Sequence, residues 1–520
     1  MATRRLRAFK RWMSSNGFEW SNALEFVDTP EEGISVRALC QLKEGDIVAK
    51  MPKEACLTVR TSGARQIIED AGLGGYLGLA VAIMYERSLG EESPWAGYLQ
   101  VLPKQECVPL VWTLNEVDEL LHGTELHQGA IEREFKWQTV QEDKALICDD
   151  WKENIFPLLD SVPSRLNPTF FGIEQYFAAK SLISSRGFEI DDFHGFGMVP
   201  LADLFNHKTG AEDVHFTASS NSVADDDVDD DNSNNDEGIA DEEALAEKSS
   251  TDTTDLDATH VENGNASDTD CLSDTGDDDP SMLEMIVVKD VSSGAEVFNT
   301  YGLMGNAALL HRYGFTEQDN PYDIVNIDLE MVIQWCSCLF SDRHSRSRVS
   351  LWRRLGYSAC GDQNSEYFEI SFEGEPQTEL MVLLYVMLLP DNAYHMLDLS
   401  LSVARSGHES SDANLLDDNI FAIKSCNVSK RSLLTKKVRD GLLALADMRE
   451  GLYGLEPIED DIARLGKCSS VRERKLYHSL MLRMCERRIL QRLRHYASEP
   501  FEINNHSSSR KKLKSTKRKR

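Results

Sequence analysis

Although the chain has 11 cysteines, no C-x-x-C pair occurs anywhere in its 520 residues. The usual nucleus of a structural zinc site is therefore missing, and no four-ligand Cys/His cluster takes its place, so no metal site is expected. Long apolar runs are missing too. The longest, Leu380 to Leu389, is ten residues lying between Pro376 and Pro390. It is too short to cross a bilayer and suits a buried helix, so no membrane partner is expected. The N-terminus carries Arg4, Arg5, Arg7, Lys10 and Arg11 without a long apolar core or a small-residue cleavage site. No secretory leader is expected, and the thiols are therefore expected to stay reduced. Phe9, Trp12 and Met13 lie among those charges, so the segment reads as a basic first helix in preference to a transit peptide.

Positive charge is scarce overall: the formal net charge is −32. Much of that excess is confined to one stretch. Between Asn221 and Pro280 there are 22 Asp and Glu against the single Lys248, leaving −11 for the other 460 residues. The opposite asymmetry closes the chain, where Arg510 to Arg520 holds eight Lys or Arg in eleven positions. Large apolar side chains are nearly absent from 219–280, so the segment cannot offset its ordering entropy and is expected to be disordered. It reads either as a solubilising linker or as a contact for basic partners. The basic tail reads as a nuclear import signal or as a solvated end, which gives an expected location of nucleus, cytoplasm or both.

The rest of the chain has enough apolar residues (41% overall) for two or three cores. Short strand-like runs broken by turns come first: Ala23 to Val27, Ile34 to Leu39 and Ile47 to Met51. The turns between them are Thr29–Gly33 and Lys43–Asp46. This is a compact β-rich unit, not a parallel α/β sheet. From about 67 to 180 the pattern turns helical, and Ile131 to Ile155 reads as one long helix. Strand signals return near Met198 and over Met282 to Val288, with Val297 to Thr300 expected to pair back after the Ser292-Ser293-Gly294 turn. Beyond Tyr322 helical spacing dominates, as in Leu434, Val438, Leu442 and Leu445. Arg483, Arg487, Arg488, Arg492 and Arg494 interleave with the last apolar stripe and read as a solvated helix face, so direct nucleic-acid binding is not expected. His194, His311 and Cys485 have no partner at ligand spacing and read as structural.

Two stretches carry chemistry. One is Pro200-Leu-Ala-Asp203-Leu-Phe-Asn206-His207. The other is Phe298-Asn-Thr-Tyr301-Gly302-Leu-Met-Gly-Asn306, continuing to Leu310-His-Arg-Tyr313-Gly314-Phe315. Asn206-His207 or Tyr301-Gly302 alone is a common dipeptide. Their order, with Glu32-Gly33 upstream and Ser185-Arg186-Gly187-Phe188 between, is uncommon. From about Phe9 to Tyr496 the chain resembles the SET-domain methyltransferases of the Rubisco large-subunit methyltransferase type, which include enzymes acting on ribosomal proteins. The stretch Arg472 to Leu493 separately resembles the last helix of that group's substrate-binding domain.

The resemblance implies an α+β fold. A basic helix (1–19) precedes a β-rich SET domain (20–320) interrupted by a helical insertion (67–180) and the acidic insertion (219–280). An all-α substrate-binding domain (321–497) and a basic tail (498–520) follow. It implies S-adenosylmethionine as cofactor and a lysine-bearing protein, a ribosomal or other basic protein among the candidates, as substrate, with the chain a monomer. Glu32, Gly33 and Ile34 would lie along the methionine part of the cofactor. Arg186 would pair with its carboxylate, Asn206 and His207 would hold its amino group and adenine, and Phe315 would cover the adenine face. Tyr301 would be the catalytic tyrosine, also touching the cofactor, and Tyr313 would line the substrate side. The carbonyls of Ser185 and Asp203, beside Arg186, would orient the lysine amine. One departure is Ser35, where the group has a second glycine. Histidine methylation and a non-catalytic interaction module are the alternatives. The first is disfavoured by the Tyr313-Gly314-Phe315 pattern, the second by the presence together of Tyr301, Arg186 and Asn206.

Overall fold

The computed structural model describes residues 3–29, 33–128, 131–133, 136–162, 165–218, 281–358, 366–405 and 429–498. The acidic insertion (219–280) and residues 499–520 of the basic tail thus lie outside the described residues. The chain divides into two units, Met1–Asp323 with Glu456–Cys485, and Ile324–Leu455 with Glu486–Arg520.

The first unit begins with the helix Arg4–Ser15, capped by the Thr3 hydroxyl and burying Leu6, Phe9 and Met13. Strands β1 (Glu19–Trp20), β2 (Leu24–Thr29), β3 (Gly33–Ala38), β4 (Ile47–Pro52) and β5 (Leu57–Thr58) follow. β2 and β3 form an antiparallel hairpin in which Thr29 faces Gly33 and Leu24 faces Ala38. Strands β6 (Ile131–Arg133) and β7 (Lys136–Gln138) form a second hairpin, and β8 (Gly187–Asp191) and β9 (Gly195–Met198) join β5 in a three-stranded sheet. β10 (Val214–Ala218) and β11 (Met282–Val287) complete a four-stranded sheet of order β1-β4-β11-β10.

Alternation along β11 shows why this sheet forms. Leu283, Met285 and Val287 point into the core, while Glu284, opposite Lys50 of β4, pairs with it at 2.6 Å on the other face. Such period-two patterning sets register, because a one-residue slip would exchange the two faces. Among the described residues Val297 to Thr300 does not pair back with β11. Val297 instead bonds to Val36 of β3, and Asn299 bridges His207 and Val214 in parallel.

The insertion is mainly helical, with Gly75–Leu89 packed on Ile173–Arg186. Glu86 is buried there, without an ion pair among the described residues. Its carboxylate accepts from the Ser62 hydroxyl, the Gly63 amide and the Ser93 hydroxyl, so the charge is paid for by hydrogen bonds. The long helix expected from Ile131 is corrected: Ile131–Arg133 and Lys136–Gln138 are the paired strands β6 and β7. Ile131, Phe135 and Trp137 fall at odd positions and Glu132, Glu134 and Lys136 at even ones, a period-two signal that the helical reading overlooked. A helix starts only at Val140, where Thr139 and Glu142 form a capping box.

In the second unit, β12 (Val325–Asp328) pairs with β13 (Tyr367–Ile370). Around them pack the helices Leu329–Ser337, Asp342–Arg354, Thr378–Leu388 and Lys436–Gly451. Thr378–Leu388 is apolar nearly all round and is the centre of this core, as a helix without a polar face must be.

The Arg474–Ser498 helix contributes residues to both units, and its arginines correct the solvated reading. Arg483 is nearly buried and pairs with Asp461 at 3.3 Å in the first unit. Arg487, also buried, pairs with Glu450 at 2.6 Å in the second, where Arg492 donates to the Phe372 carbonyl at 2.6 Å. Sequence spacing cannot register such pairing, since each acceptor comes from a distant segment. Among the described residues no single helix is long and apolar enough to cross a membrane.

Gly314 terminates the Asn306–Tyr313 helix with φ +76°, and its amide donates to the Leu309 and Leu310 carbonyls. A Cβ there would also sit 2.8 Å from the Cys107 carbonyl oxygen. Gly72 has a similar φ of +68° with nothing within 4 Å of such a Cβ. In urea unfolding, Gly72→Ala is expected to cost about 1 kcal/mol from backbone strain alone. Gly314→Ala is expected to cost about 2–4 kcal/mol, because strain and overpacking add. Equal losses at the two positions would contradict the close packing of Gly314 on Cys107.

Candidate active site

The site is assembled where residues 295–301 pass between two other stretches of backbone. On one side the Ala38 amide donates to the Ala295 carbonyl and the Val297 amide to the Val36 carbonyl, each at 2.9 Å. On the other, the Asn299 amide donates to the Asn206 carbonyl at 2.8 Å and the Asp213 amide to the Phe298 carbonyl at 2.9 Å. The stretch leading to Asn206 leaves β9 through Pro200 and Leu201, whose φ of +81° is rare for a branched residue. Holding it there costs on the order of 1–3 kcal/mol and turns the chain into the one-turn helix Ala202–Leu204. The Asn206 side chain is held by Glu296 at 2.8 Å.

Tyr301 follows directly. Its amide donates to His207 Nδ1 at 2.9 Å and its hydroxyl donates to the Phe205 carbonyl at 3.0 Å. The Tyr301 ring stacks on Tyr313 with centroids 4.6 Å apart and on His207 at 5.1 Å. Phe315 closes the group, 6.0 Å from His207 and 6.2 Å from Tyr313. Burial pushes the Tyr301 hydroxyl above its ordinary value, against the pull of Arg186, so it remains protonated at neutral pH. Because His207 Nδ1 accepts a hydrogen bond, the neutral ring carries its proton on Nε2, which faces the Thr209 hydroxyl at 3.3 Å. Burial lowers the His207 pKa, with Glu317 opposing.

Beside the aromatic group is a charged one. Arg186 Nε donates to Glu106 at 2.6 Å, and Nη1 to the Asp203 carbonyl at 3.1 Å and to Asp203 Oδ2 at 3.4 Å. The Tyr98 hydroxyl donates to Asp203 Oδ2 at 2.8 Å. Burial alone would lower the Arg186 pKa. The charges of Glu106 and Asp203 outweigh it and hold the guanidinium protonated. Burial raises Asp203 against Arg186 and Tyr98, and its Oδ1 is buried with no hydrogen-bond partner among the described residues.

The structure therefore brings together Asn206, His207, Tyr301, Tyr313 and Phe315, and joins Arg186 to Asp203. Ser185 is half-buried in the last turn of the helix that ends at Arg186, and the neighbouring Ser184 ties that helix to the Arg312 carbonyl at 3.1 Å. Gly33 and Ile34 open β3, the strand whose Val36 holds residue 297; no described contact joins them to the aromatic group. Gly33 has φ +80° with open space where a Cβ would be. Glu32 lies outside the described residues. Ser35, at the position of the group's second glycine, is nearly buried within β3 opposite Val27. Sequence reasoning missed Tyr98, Glu106, Phe205 and Glu296. Phe205 was within reach, being inside the motif. The other three are single polar or aromatic residues in unremarkable contexts, with no local pattern to mark them.

No family model matches this chain. It is 23% identical over 394 residues to "Ribosomal lysine N-methyltransferase 3" of Saccharomyces cerevisiae, covering 68% of each chain. It is 25% identical over 362 residues to "Ribosomal lysine N-methyltransferase 4" of Schizosaccharomyces pombe, covering 66% of this chain and 73% of that one. To "N-lysine methyltransferase SETD6" of Rattus norvegicus it is 22% identical, covering 79% and 75%. Among solved structures it is similar to Rubisco LSMT bound to sinefungin and monomethyllysine, with a TM-score of 0.58, 18% identity and coverage of 95% and 92%. It is likewise similar to the SET domain of LSMT bound to lysine and AdoHcy, with a TM-score of 0.56, 17% identity and coverage of 95% and 90%. The α+β fold is thus that of a SET-domain protein. Within that class, it has the form found in the Rubisco large-subunit methyltransferase.

A second histidine supports the site from behind. His478 Nδ1 accepts from the Thr316 amide at 3.1 Å, next to Phe315, and burial lowers its pKa from 6.5 to about 4. His207 and His478 are neutral acceptors in the fold and gain protons on unfolding. Stability is therefore complete above the ordinary histidine value near 6.5 and declines as pH falls toward 4. Between pH 6 and 4 the decline is expected to be roughly 1 kcal/mol per unit for His478. His478→Gln keeps an acceptor that cannot titrate and is expected to flatten this acid limb in urea unfolding. An unchanged limb would contradict the assignment.

Proposed function

We propose that this chain is an S-adenosylmethionine-dependent protein-lysine N-methyltransferase acting on a non-histone protein, with ribosomal proteins as the first substrates to test. The observation that carries the reading is the placement of the Tyr301 hydroxyl, donated to a backbone carbonyl inside an aromatic group, beside the Arg186–Asp203 pair.

The residues present fit the cofactor. Arg186 Nη2 makes none of the described contacts, and the side chain keeps 26% of its exposure, so a donor remains for a carboxylate. The open space beside the Gly33 backbone lets a ligand approach the main chain. Phe315 and His207 offer flat faces to an adenine, and Asn206 and His207 offer backbone groups to its edge. When bound, S-adenosylmethionine supplies a methyl group already activated on a positively charged sulfur.

What the protein must add is position and a neutral nucleophile. A free lysine amine with pKa near 10.4 costs roughly 4–5 kcal/mol to deprotonate at pH 7. Buried aromatic surroundings lower that cost by disfavouring the ammonium, and the cofactor's sulfonium charge acts in the same direction. Tyr301 is not the base, because burial keeps its own proton on. Since that proton is donated to Phe205, the phenolic oxygen presents lone pairs, and Tyr301 orients the amine as an acceptor. The Asp203 carbonyl spends one acceptor direction on Arg186 and keeps a second for the amine. The Ser185 carbonyl has the same role, and Tyr313, stacked on Tyr301, limits the room around it.

We assign substrate recognition to the second unit and read the chain as a monomer without direct nucleic-acid contacts. The buried ion pairs of Arg483 and Arg487 support that last point, since they take these two arginines out of reach of a phosphate backbone. We place the protein in nucleus and cytoplasm on the strength of the Arg510–Arg520 run. Deletion of that run is expected to abolish nuclear accumulation of a fluorescent fusion, and an unchanged distribution would remove the argument.

In calorimetric titration the wild type is expected to bind S-adenosylmethionine at micromolar concentration. Arg186→Lys keeps the charge but loses the planar fork, and is expected to weaken binding by about 10-fold or more. Tyr301→Phe is expected to keep cofactor affinity within a few-fold and to lower methyl transfer by about 10²-fold. A wild type that binds no cofactor would overturn the proposal.

A further inference from the structure

Arg186 is not steered by its own helix. Two of its nitrogens are committed to residues remote in sequence, Nε to Glu106 and Nη1 to Asp203, and Asp203 is in turn committed to Tyr98. Tyr98 and Glu106 both belong to the insertion between β5 and β8 and are themselves immobilised. The Glu106 amide donates to the Ser181 hydroxyl at 3.1 Å, on the helix that ends at Arg186. Tyr98 is fully buried, its ring 6.0 Å from Phe9 and 6.3 Å from Trp12 of the first helix. Trp12 lies so close over Gly97 that a Cβ there would come within 2.2 Å of its indole.

A buried cluster of one arginine and two carboxylates is a poor way to gain stability, because apolar residues of the same volume serve as well or better. Its distinctive property is directional. A planar guanidinium fixed at Nε and Nη1 has no free rotation left, so the direction of Nη2 is set by Glu106 and Asp203 together.

We infer that Glu106 and Tyr98 are positioning residues that aim the Arg186 guanidinium at the amino-acid carboxylate of the cofactor, Glu106 directly and Tyr98 by holding Asp203. The inference rests on the cofactor reading proposed above. It gives Tyr98, Glu106 and the first helix a part in cofactor binding, although none of them is placed against the ligand.

The test compares two ligands of the full-length protein, S-adenosylhomocysteine and 5′-methylthioadenosine. Both contain the thioadenosine group and carry no net charge at neutral pH, and only the first has the amino-acid carboxylate. Glu106→Gln replaces a charge-assisted hydrogen bond by a neutral one and is expected to weaken S-adenosylhomocysteine by about 10-fold. Tyr98→Phe keeps the ring packing, loses one hydroxyl, and is expected to weaken it by about 3-fold, acting one contact further away. Both variants are expected to bind 5′-methylthioadenosine as the wild type does. Equal weakening of both ligands would show a merely structural role and overturn the inference, as would variants that bind both ligands normally. A wild type that binds neither ligand would overturn the cofactor reading along with it. A wild type that binds S-adenosylhomocysteine beside unaffected variants would overturn this inference alone.

Discussion

The passage of residues 295–301 between β3 and the Asn206–Val214 stretch is the constraint on which the rest of the site depends. Backbone hydrogen bonds on both sides of this segment fix where Tyr301 emerges. Only then can its amide reach His207 and its hydroxyl reach Phe205, residues more than ninety positions earlier in the chain. No side chain could do this alone: the bonds that align the segment are the ones sheets are made of, and they leave no choice of register. The strained Leu201 turns the chain toward Asn206 and His207, and the left-handed Gly314 ends the helix between Tyr313 and Phe315.

On that frame stand two groups of opposite character, whose juxtaposition is what the chemistry needs. The aromatic one, built from His207, Tyr301, Tyr313 and Phe315, is buried enough to keep the Tyr301 hydroxyl protonated and to favour the neutral His207 imidazole. The ionic one, built from Arg186, Asp203 and Glu106, concentrates charge within hydrogen-bonding distance of a buried tyrosine. Burial disfavours the protonated form of an incoming amine by desolvation, whereas carboxylates favour it. Arg186 between the two carboxylates moderates that conflict.

Much of this was legible in sequence, and what was legible follows a rule. The hairpin β2–β3 and the first helix could be read because each buries a periodic pattern that local residues carry, and the buried helix Thr378–Leu388 because its apolar run is continuous and short. The motif around Asn206-His207 and Tyr301 could be read because its parts recur in fixed order. The β6–β7 hairpin was missed because its period-two alternation lies beside a strong helical signal starting at Thr139. Tyr98 and Glu106 were missed for a deeper reason: what marks them is a partner 80 or 105 residues away. The arginines of the final helix were misjudged on the same ground, since an arginine between apolar residues looks solvated until its carboxylate is found. Pairing across long sequence separations is the information that composition and periodicity do not hold.

The central claim is that Tyr301 directs methyl transfer to a lysine amine. Its most direct test is the amino acid that carries the label. The full-length protein would be incubated with methyl-tritiated S-adenosylmethionine and acid-extracted ribosomal protein, and the product hydrolysed to free amino acids. The account predicts label in N-methylated lysine from the wild type and a small fraction of it from Tyr301→Phe. Label in methylhistidine, or lysine labelling that Tyr301→Phe leaves intact, would contradict it.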